Sequence, residues 1–232
     1  MYWLIIIAFC VLTAFLVWAS ADVGSNIYLK TLCRAKTTER VVALTFDDGP
    51  NEVTTPRVLD VLKRYGVQAT FFVVGQSAEQ YPEIVQRIVS EGHTVANHTY
   101  SHKALFPLSS AQSVKEELQR CNDAIASITG QSVNLFRPPF GVTNPIIARV
   151  VKAMGLQAIG WSIRSLDTLS GRSREQICRR ICDRLHPGAI ILLHDRCKDA
   201  EILLEMLMTQ LSQRGYKVVS VSELLNIRRY ED

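Results

Sequence analysis

Seven short apolar runs punctuate the chain: "VVALTF" (41–46), "ATFFVV" (69–74), "HTVAN" (93–97), "NLFR" (134–137), "LQAIGW" (156–161), "AIILLH" (189–194) and "KVVSV" (217–221). Several are apolar without interruption, the pattern of parallel strands covered on both faces rather than of strands with a wet side. The stretches between them have helical spacing. "TPRVLDVLKRYG" carries Pro56 where a first turn tolerates it and Gly66 where a left-handed cap ends a helix. "YPEIVQRIVSEG" repeats that arrangement with Pro82 and Gly92. Strand and helix in alternation predict an α/β fold with right-handed crossovers, either an open doubly wound sheet or a closed barrel. In both, chemistry gathers at the carboxyl ends of the strands.

The N-terminus has a different pattern. Residues 2–18, "YWLIIIAFCVLTAFLVW", carry no charge and read as a signal-peptide core or a short membrane anchor. Ala19, Ser20 and Ala21 have the small-residue form of a cleavage site, whereas the length of the run favours retention. Lys30, Arg34, Lys36 and Arg40 follow the run and no basic residue precedes it, which by the positive-inside rule would leave the remainder on the cytoplasmic side. The expected organisation is a signal peptide or membrane anchor over 1–21, a linker over 22–39, and one domain over 40–232.

Of the 232 residues, 47% are hydrophobic and 21% charged, enough to build one packed core. A net charge of +4, with no Lys/Arg block interleaved with aromatics, gives no reason to expect a nucleic-acid partner. Cys10 lies in the apolar segment and leaves Cys33, Cys121, Cys178, Cys182 and Cys197, an odd number for a disulfide framework. Cys178 and Cys182 have helical spacing, but no second pair stands at metal-ligand distance in sequence, so buried or idle thiols are expected.

The strand ends carry the candidate chemistry. Asp-Gly and Gly-Pro are turn dipeptides, which accounts for Asp48-Gly49-Pro50 but not for a second acid, Asp47, directly before it. In "HTYSH" the spacing of His98 and His102 brings two imidazoles to one side of a turn or tight loop. Two histidines and one carboxylate suit catalytic zinc and other divalent transition metals, and leave a coordination position open for water. "RPPFG" follows the fourth run with Arg137, and "LLHD" ends the sixth with His194.

"TFDDGP", "HTYSH", "RPPFG" and "LLH", in this order and spacing, resemble the successive motifs of the polysaccharide deacetylase family, the NodB homology domain group also classed as carbohydrate esterase family 4. The resemblance covers about residues 40–222 and implies an irregular (β/α)7 barrel. It implies Asp48, His98 and His102 as ligands of one divalent metal, with zinc the first choice and cobalt, nickel or manganese the alternatives. It also implies Asp47 as the general base toward water, with Arg137 pairing with that base and holding it in place. The backbone N–H of Phe140 becomes the oxyanion donor in the substrate pocket, and Leu192 its apolar wall for an acetyl methyl. His194 becomes the general acid that protonates a departing amine, oriented by Asp167. The family pattern breaks at Thr168, where a tryptophan is expected, and Arg164 is a further unusual charge nearby.

The expected activity is metal-dependent removal of N-acetyl groups from an amino-sugar polysaccharide, with peptidoglycan GlcNAc or MurNAc first. Chitin oligomers, acetylxylan and a lipid-linked sugar are the alternative substrates, and an inactive glycan-binding barrel is the non-enzyme alternative. The expected location is the cell envelope, anchored to the membrane through the N-terminal segment if that segment is uncleaved.

Overall fold

Uninterrupted apolar runs become strands here because both their faces are covered. Val41–Asp47 is buried at every position but its first, and Ala189–His194 at every position but its last. A computed structural model describes residues 2–228 and 230. Residues 1, 229, 231 and 232, the outer ends of the segments expected from sequence, lie outside the described residues. In chain order the elements are α1 (Tyr2–Ala21), β1 (Thr31–Leu32), β2 (Val41–Asp47), α2 (Thr54–Tyr65), β3 (Thr70–Val73), α3 (Gly75–Gln80), α4 (Pro82–Ser90), β4 (Thr94–Asn97) and α5 (Ala111–Thr129). Then follow β5 (Leu135–Phe136), α6 (Pro145–Ala153), β6 (Gln157–Ile159), β7 (Ile163–Arg164), α7 (Arg174–Cys182), β8 (Ala189–His194), α8 (Ala200–Gln213), β9 (Lys217–Val219) and α9 (Val221–Leu225). Gly66 caps α2 in the left-handed conformation and Pro82 opens α4, as their positions in sequence predict.

The strands form one curled parallel sheet in the order β1-β6-β5-β4-β3-β2-β8-β7, with β9 on β2. The seven runs read from sequence are β2 to β6, β8 and β9. Two further strands, β1 and β7, are two residues each and lie outside any apolar run. β2 is shared along its length: β9 pairs with Val41–Ala43 and β3 with Thr45–Asp47, which makes the curl irregular.

The ends of the sheet do not meet as a ladder. Beyond β1, which lies on β6, Arg34 forms a bridge to Ala189 of β8, and the Ala35 N–H donates to Gly188 O at 2.9 Å. Residues 31–35 therefore cross the gap between β6 and β8. The expectation of a linker over 22–39 needs that correction: polar composition hid backbone pairing, which any side chain permits.

Side chains on the inner face of the curl recur with period two. Ala43, Phe72, Ala96, Leu135, Ile159 and Ile190 pack together low in that interior. One or two steps further along the same face come Thr45 and Asp47, His98, Arg137, Leu192 and His194. The curl is thus apolar at its base and polar at the carboxyl ends of its strands. On the outer face a larger cluster, including Val42, Leu44, Phe46, Phe71 and Val95, packs against the helices. At about 1.5–3 kcal/mol per fully buried large apolar side chain, this outer layer supplies most of the hydrophobic stabilisation.

Candidate active site

Strand register puts the first two groups side by side. Asp47 pairs with His194 and Thr45 with Leu192 across β2 and β8, so the acid, the imidazole and the leucine share one wall. Neighbouring parallel strands lie about 4.8 Å apart, which is reach enough for all three to face one bound group.

Asp48, His98 and His102 converge, with one ligand atom from each lying within 4.8 Å of the others. His98 Nε2 is 3.4 Å and His102 Nε2 3.3 Å from Asp48 Oδ1. A tetrahedral centre with bonds of about 2.0–2.1 Å has ligand-to-ligand edges of about 3.3–3.4 Å, so the donor set fits a small divalent metal. His98 Nδ1 lies 2.8 Å from the Arg137 carbonyl, which can only accept, so Nδ1 carries the proton and Nε2 is left as a lone-pair donor. Burial would raise the Asp48 carboxyl, but the surrounding imidazoles when protonated, His98 first and then His194 and His102, hold it well below the usual carboxylate range. Burial, then the neighbouring His98, lowers His102 and favours the neutral imidazole a metal requires.

Asp47 is not a fourth member of that cluster. Its Oδ1 accepts from Arg137 Nη1 at 2.6 Å, while its Oδ2 stands 3.8 Å from His98 Nε2. Arg137 is fully buried and spends its other donors on Ile159 O (3.1 Å), Gly160 O (2.8 Å) and Thr45 Oγ1 (2.8 Å). Its guanidinium lies 4.0 Å above the Phe72 ring. Burial lowers its pKa and the Asp47 charge opposes that, so each makes the other tolerable inside the curl.

On the same wall, His194 Nδ1 is 2.7 Å from Asp167 Oδ1, and the His194 backbone N–H donates to Asp167 Oδ2 at 2.8 Å. Ser165 Oγ donates to the same carboxylate at 2.8 Å. The imidazole is thereby fixed with Nε2 as its free nitrogen. Burial lowers the His194 pKa, yet the hydrogen bond and charge of Asp167, aided by Asp47 and Asp48, win and raise it.

The loop after β5 completes the cleft. Phe140 adopts φ 60 and ψ 0, bracketed by Gly141 N–H to Pro138 O (3.0 Å) and Val142 N–H to Pro139 O (3.1 Å). Its ring meets His102 edge-on at 4.9 Å. Of the eight non-glycine residues at positive φ among the described residues, Asp48, Thr99, His102, Phe140 and Leu166 all lie in the loops around this cleft, where strained backbone concentrates when side chains must be aimed.

All the candidates from sequence are therefore gathered: Asp47, Asp48, His98, His102, Phe140, Leu192 and His194 line the cleft, while Arg137 and Asp167 stand behind it. Thr168, Trp161 and Arg164 line it too. Arg164 is exposed, with no acid paired to it among the described residues. A larger cavity of about 470 Å³ lies between α7 and α8, beside Cys178 and Cys182, but among the described residues no cluster of acids and histidines converges there.

Two neighbours had escaped the sequence reading. Arg196 Nε donates to Asp48 Oδ2 at 2.8 Å, leaving Oδ1 to the histidines. Asp195 is buried, accepts from Thr55 Oγ1 at 2.5 Å, and fills the space where a Gly49 Cβ would come within 2.1 Å of its Oδ2. Only glycine fits that turn. Their one signal was the continuation "HDR" after the sixth run.

Burial raises the Asp195 carboxyl to about 7 against the weaker pull of Thr55. An acid raised in the fold favours the folded state at low pH and loses that contribution as pH climbs from about 4 to about 7. Asp195→Asn is therefore expected to melt higher than the parent at pH 8, with the gap narrowing as pH falls and closing only near pH 4. Thermal melts across that range decide it, and a gap independent of pH would show that Asp195 ionises freely.

A polysaccharide deacetylase family model matches residues 34–159. The chain belongs to that family. It is 37% identical over 200 residues to the peptidoglycan-N-acetylglucosamine deacetylase PgdA of Listeria monocytogenes, covering 86% of this chain and 42% of the relative. The peptidoglycan-N-acetylmuramic acid deacetylase PdaA of Bacillus subtilis is 34% identical over 192 residues, covering 82% and 73%. The solved structure of the Bc1960 peptidoglycan N-acetylglucosamine deacetylase superposes with a TM-score of 0.80 at 28% identity, covering 87% of this chain and 95% of that one. BA3943 of Bacillus anthracis, described as a pseudoenzyme of the same esterase family, superposes with a TM-score of 0.79 at 28% identity, covering 86% and 70%. This chain spans under half the length of the Listeria relative.

Proposed function

We propose that this chain is a metal-dependent hydrolase that removes N-acetyl groups from the amino sugars of peptidoglycan in the cell envelope. The observation that carries the reading is the division of labour between adjacent acids: Asp48 faces two histidines, while Asp47 is turned to a buried arginine. Asp48, His98 and His102 would hold one divalent ion, zinc by its fit to a nitrogen-rich tetrahedral set, with cobalt, nickel or manganese as alternatives. When bound, that ion supplies Lewis acidity, polarising the acyl oxygen and acidifying water.

The protein's own residues do the rest. Asp47 accepts the proton of the attacking water, and Arg137 keeps its carboxylate aimed. The Phe140 N–H donates to the oxygen that gains negative charge. Leu192 gives the acetyl methyl an apolar wall. His194, protonated at Nε2, hands a proton to the departing amine. If so, Asp167→Asn lowers the His194 pKa by removing the negative charge that helps raise it, and the alkaline limb of kcat/KM moves to lower pH. A pH–rate profile with that limb unmoved would remove His194 from the role.

Retention of the full set Asp47, Asp48, His98, His102, Arg137, Asp167 and His194 weighs against an inactive glycan-binding barrel of the kind the pseudoenzyme neighbour brings to mind. Within the deacetylase reading, Arg164 and Arg196 at the rim favour a sugar bearing a carboxylate, as the lactyl ether of muramic acid does. Acetate release by the metal-loaded protein from peptidoglycan, chitin oligomers and acetylxylan tests both points. Acetate from peptidoglycan with muramic residues deacetylated supports them. Bound metal with no acetate from any substrate returns the barrel to a binding role.

A further inference from the structure

α1 is a 20-residue apolar helix without a charged residue, exposed along nearly its whole length, yet its last turn is built into the body of the protein. Ala19 is fully buried, its carbonyl accepts from Ser25 Oγ at 2.8 Å, and the Ser20 carbonyl accepts from the Thr143 N–H at 2.9 Å. Val23, also buried, packs where a Cβ on Gly141 or Gly160 would lie 3.3 or 3.1 Å from its side chain. The same Gly141 position abuts Trp161, which lines the cleft. The root of α1 is therefore wedged under the active-site rim, at the carboxyl ends of β5 and β6.

Most of the exposed large apolar side chains outside α1 have a matching distribution, with Tyr65 an exception. Val53, Leu105, Leu108, Phe140, Ile146 and Leu169 all sit in loops after the carboxyl ends of strands or in the helix turns those loops enter. Leu108 is 82% and Leu105 69% exposed. Their loop is tied to the α1 dock, because Asn144 Nδ2, one residue beyond Thr143, donates to Pro107 O at 2.6 Å. At the opposite end of the barrel, Tyr65 closes α2. Leucines this exposed are costly in water and favourable in the interfacial layer of a bilayer, next to a helix long enough to span it.

We propose that α1 remains on the mature protein and that the apolar loops at the carboxyl face rest on the bilayer beside it, so that the catalytic cleft opens against a lipid surface. Cleavage after Ala21 would require unwinding a buried, hydrogen-bonded turn that also supports the cleft. The consequence for substrate rests on the deacetylase reading: the cleft would meet amino sugars held close to the membrane, including sugars on a lipid carrier, ahead of polymer far from it.

The full chain in nanodiscs tests this without any need for turnover. In a Trp3→Phe/Trp18→Phe background, a reporter is introduced as Leu108→Trp or, as control, Tyr65→Trp, and emission is compared with and without lipids brominated in the acyl chain. The expected result is strong quenching of the Leu108→Trp reporter beyond the parent's Trp161 signal, and none at Tyr65→Trp. Equal or absent quenching at both positions overturns the proposal, as does an intact mass showing loss of residues 1–21. The Leu105→Glu/Leu108→Glu variant then separates location from chemistry. Acetate release from soluble chitin oligomers should be unchanged, while release from a lipid-carried amino sugar in the same discs should fall; loss on both, or on neither, counts against the membrane contact.

Discussion

Asp47→Asn is expected to abolish acetate release while leaving metal binding nearly intact. A positioned general base is worth about 10²–10⁴ in rate, and asparagine cannot accept the proton. The same substitution should not open the metal site, because Asp48 Oδ1, His98 Nε2 and His102 Nε2 form the converging set and the nearest Asp47 oxygen is 3.8 Å from His98 Nε2. Geometry also survives: the asparagine carbonyl can still accept from Arg137 Nη1, which now donates at 2.6 Å. Metal content after dialysis, measured beside acetate release, separates the two effects. Activity within a few-fold of the parent would assign the base elsewhere, and loss of metal with loss of activity would make Asp47 a ligand.

That separation of adjacent acids was partly legible in the chain. Two carboxylates at a strand end are visible as letters, and period-two geometry aims Asp47 into the curl beside His194. The left-handed turn at Asp48, φ 72, is what sends the second acid toward the histidines, and no periodicity announces it. The seven strands within apolar runs were readable because burial writes itself into composition. β1 and β7 were not, since neither lies in an apolar run and their pairing is through backbone. Pairings across long sequence distances were hidden for a different reason. Arg196 is 148 positions from Asp48, and Asp195 is 140 from Thr55, so only the closed fold brings either pair together.

Arg137→Met should cost more stability than any other single change at the site. The guanidinium is fully buried, and methionine would fill its volume while leaving Ile159 O, Gly160 O and Thr45 Oγ1 without that donor and Asp47 buried without its cation. Removing one partner of a buried ion pair typically costs about 3–5 kcal/mol. For a chain of this size that is a fall in Tm of about 10 °C. Arg137→Lys should recover only part of it, since one ammonium cannot reproduce a fork that serves a carboxylate and two carbonyls at once. Arg137→Met/Asp47→Leu should melt higher than Arg137→Met alone, because removing the second charge removes the uncompensated one. All three variants should release no acetate. If the double substitution melted no higher than Arg137→Met, the cost would lie in the unpaired carbonyls and not in the stranded carboxylate, and the pair's importance would be confined to aiming Asp47.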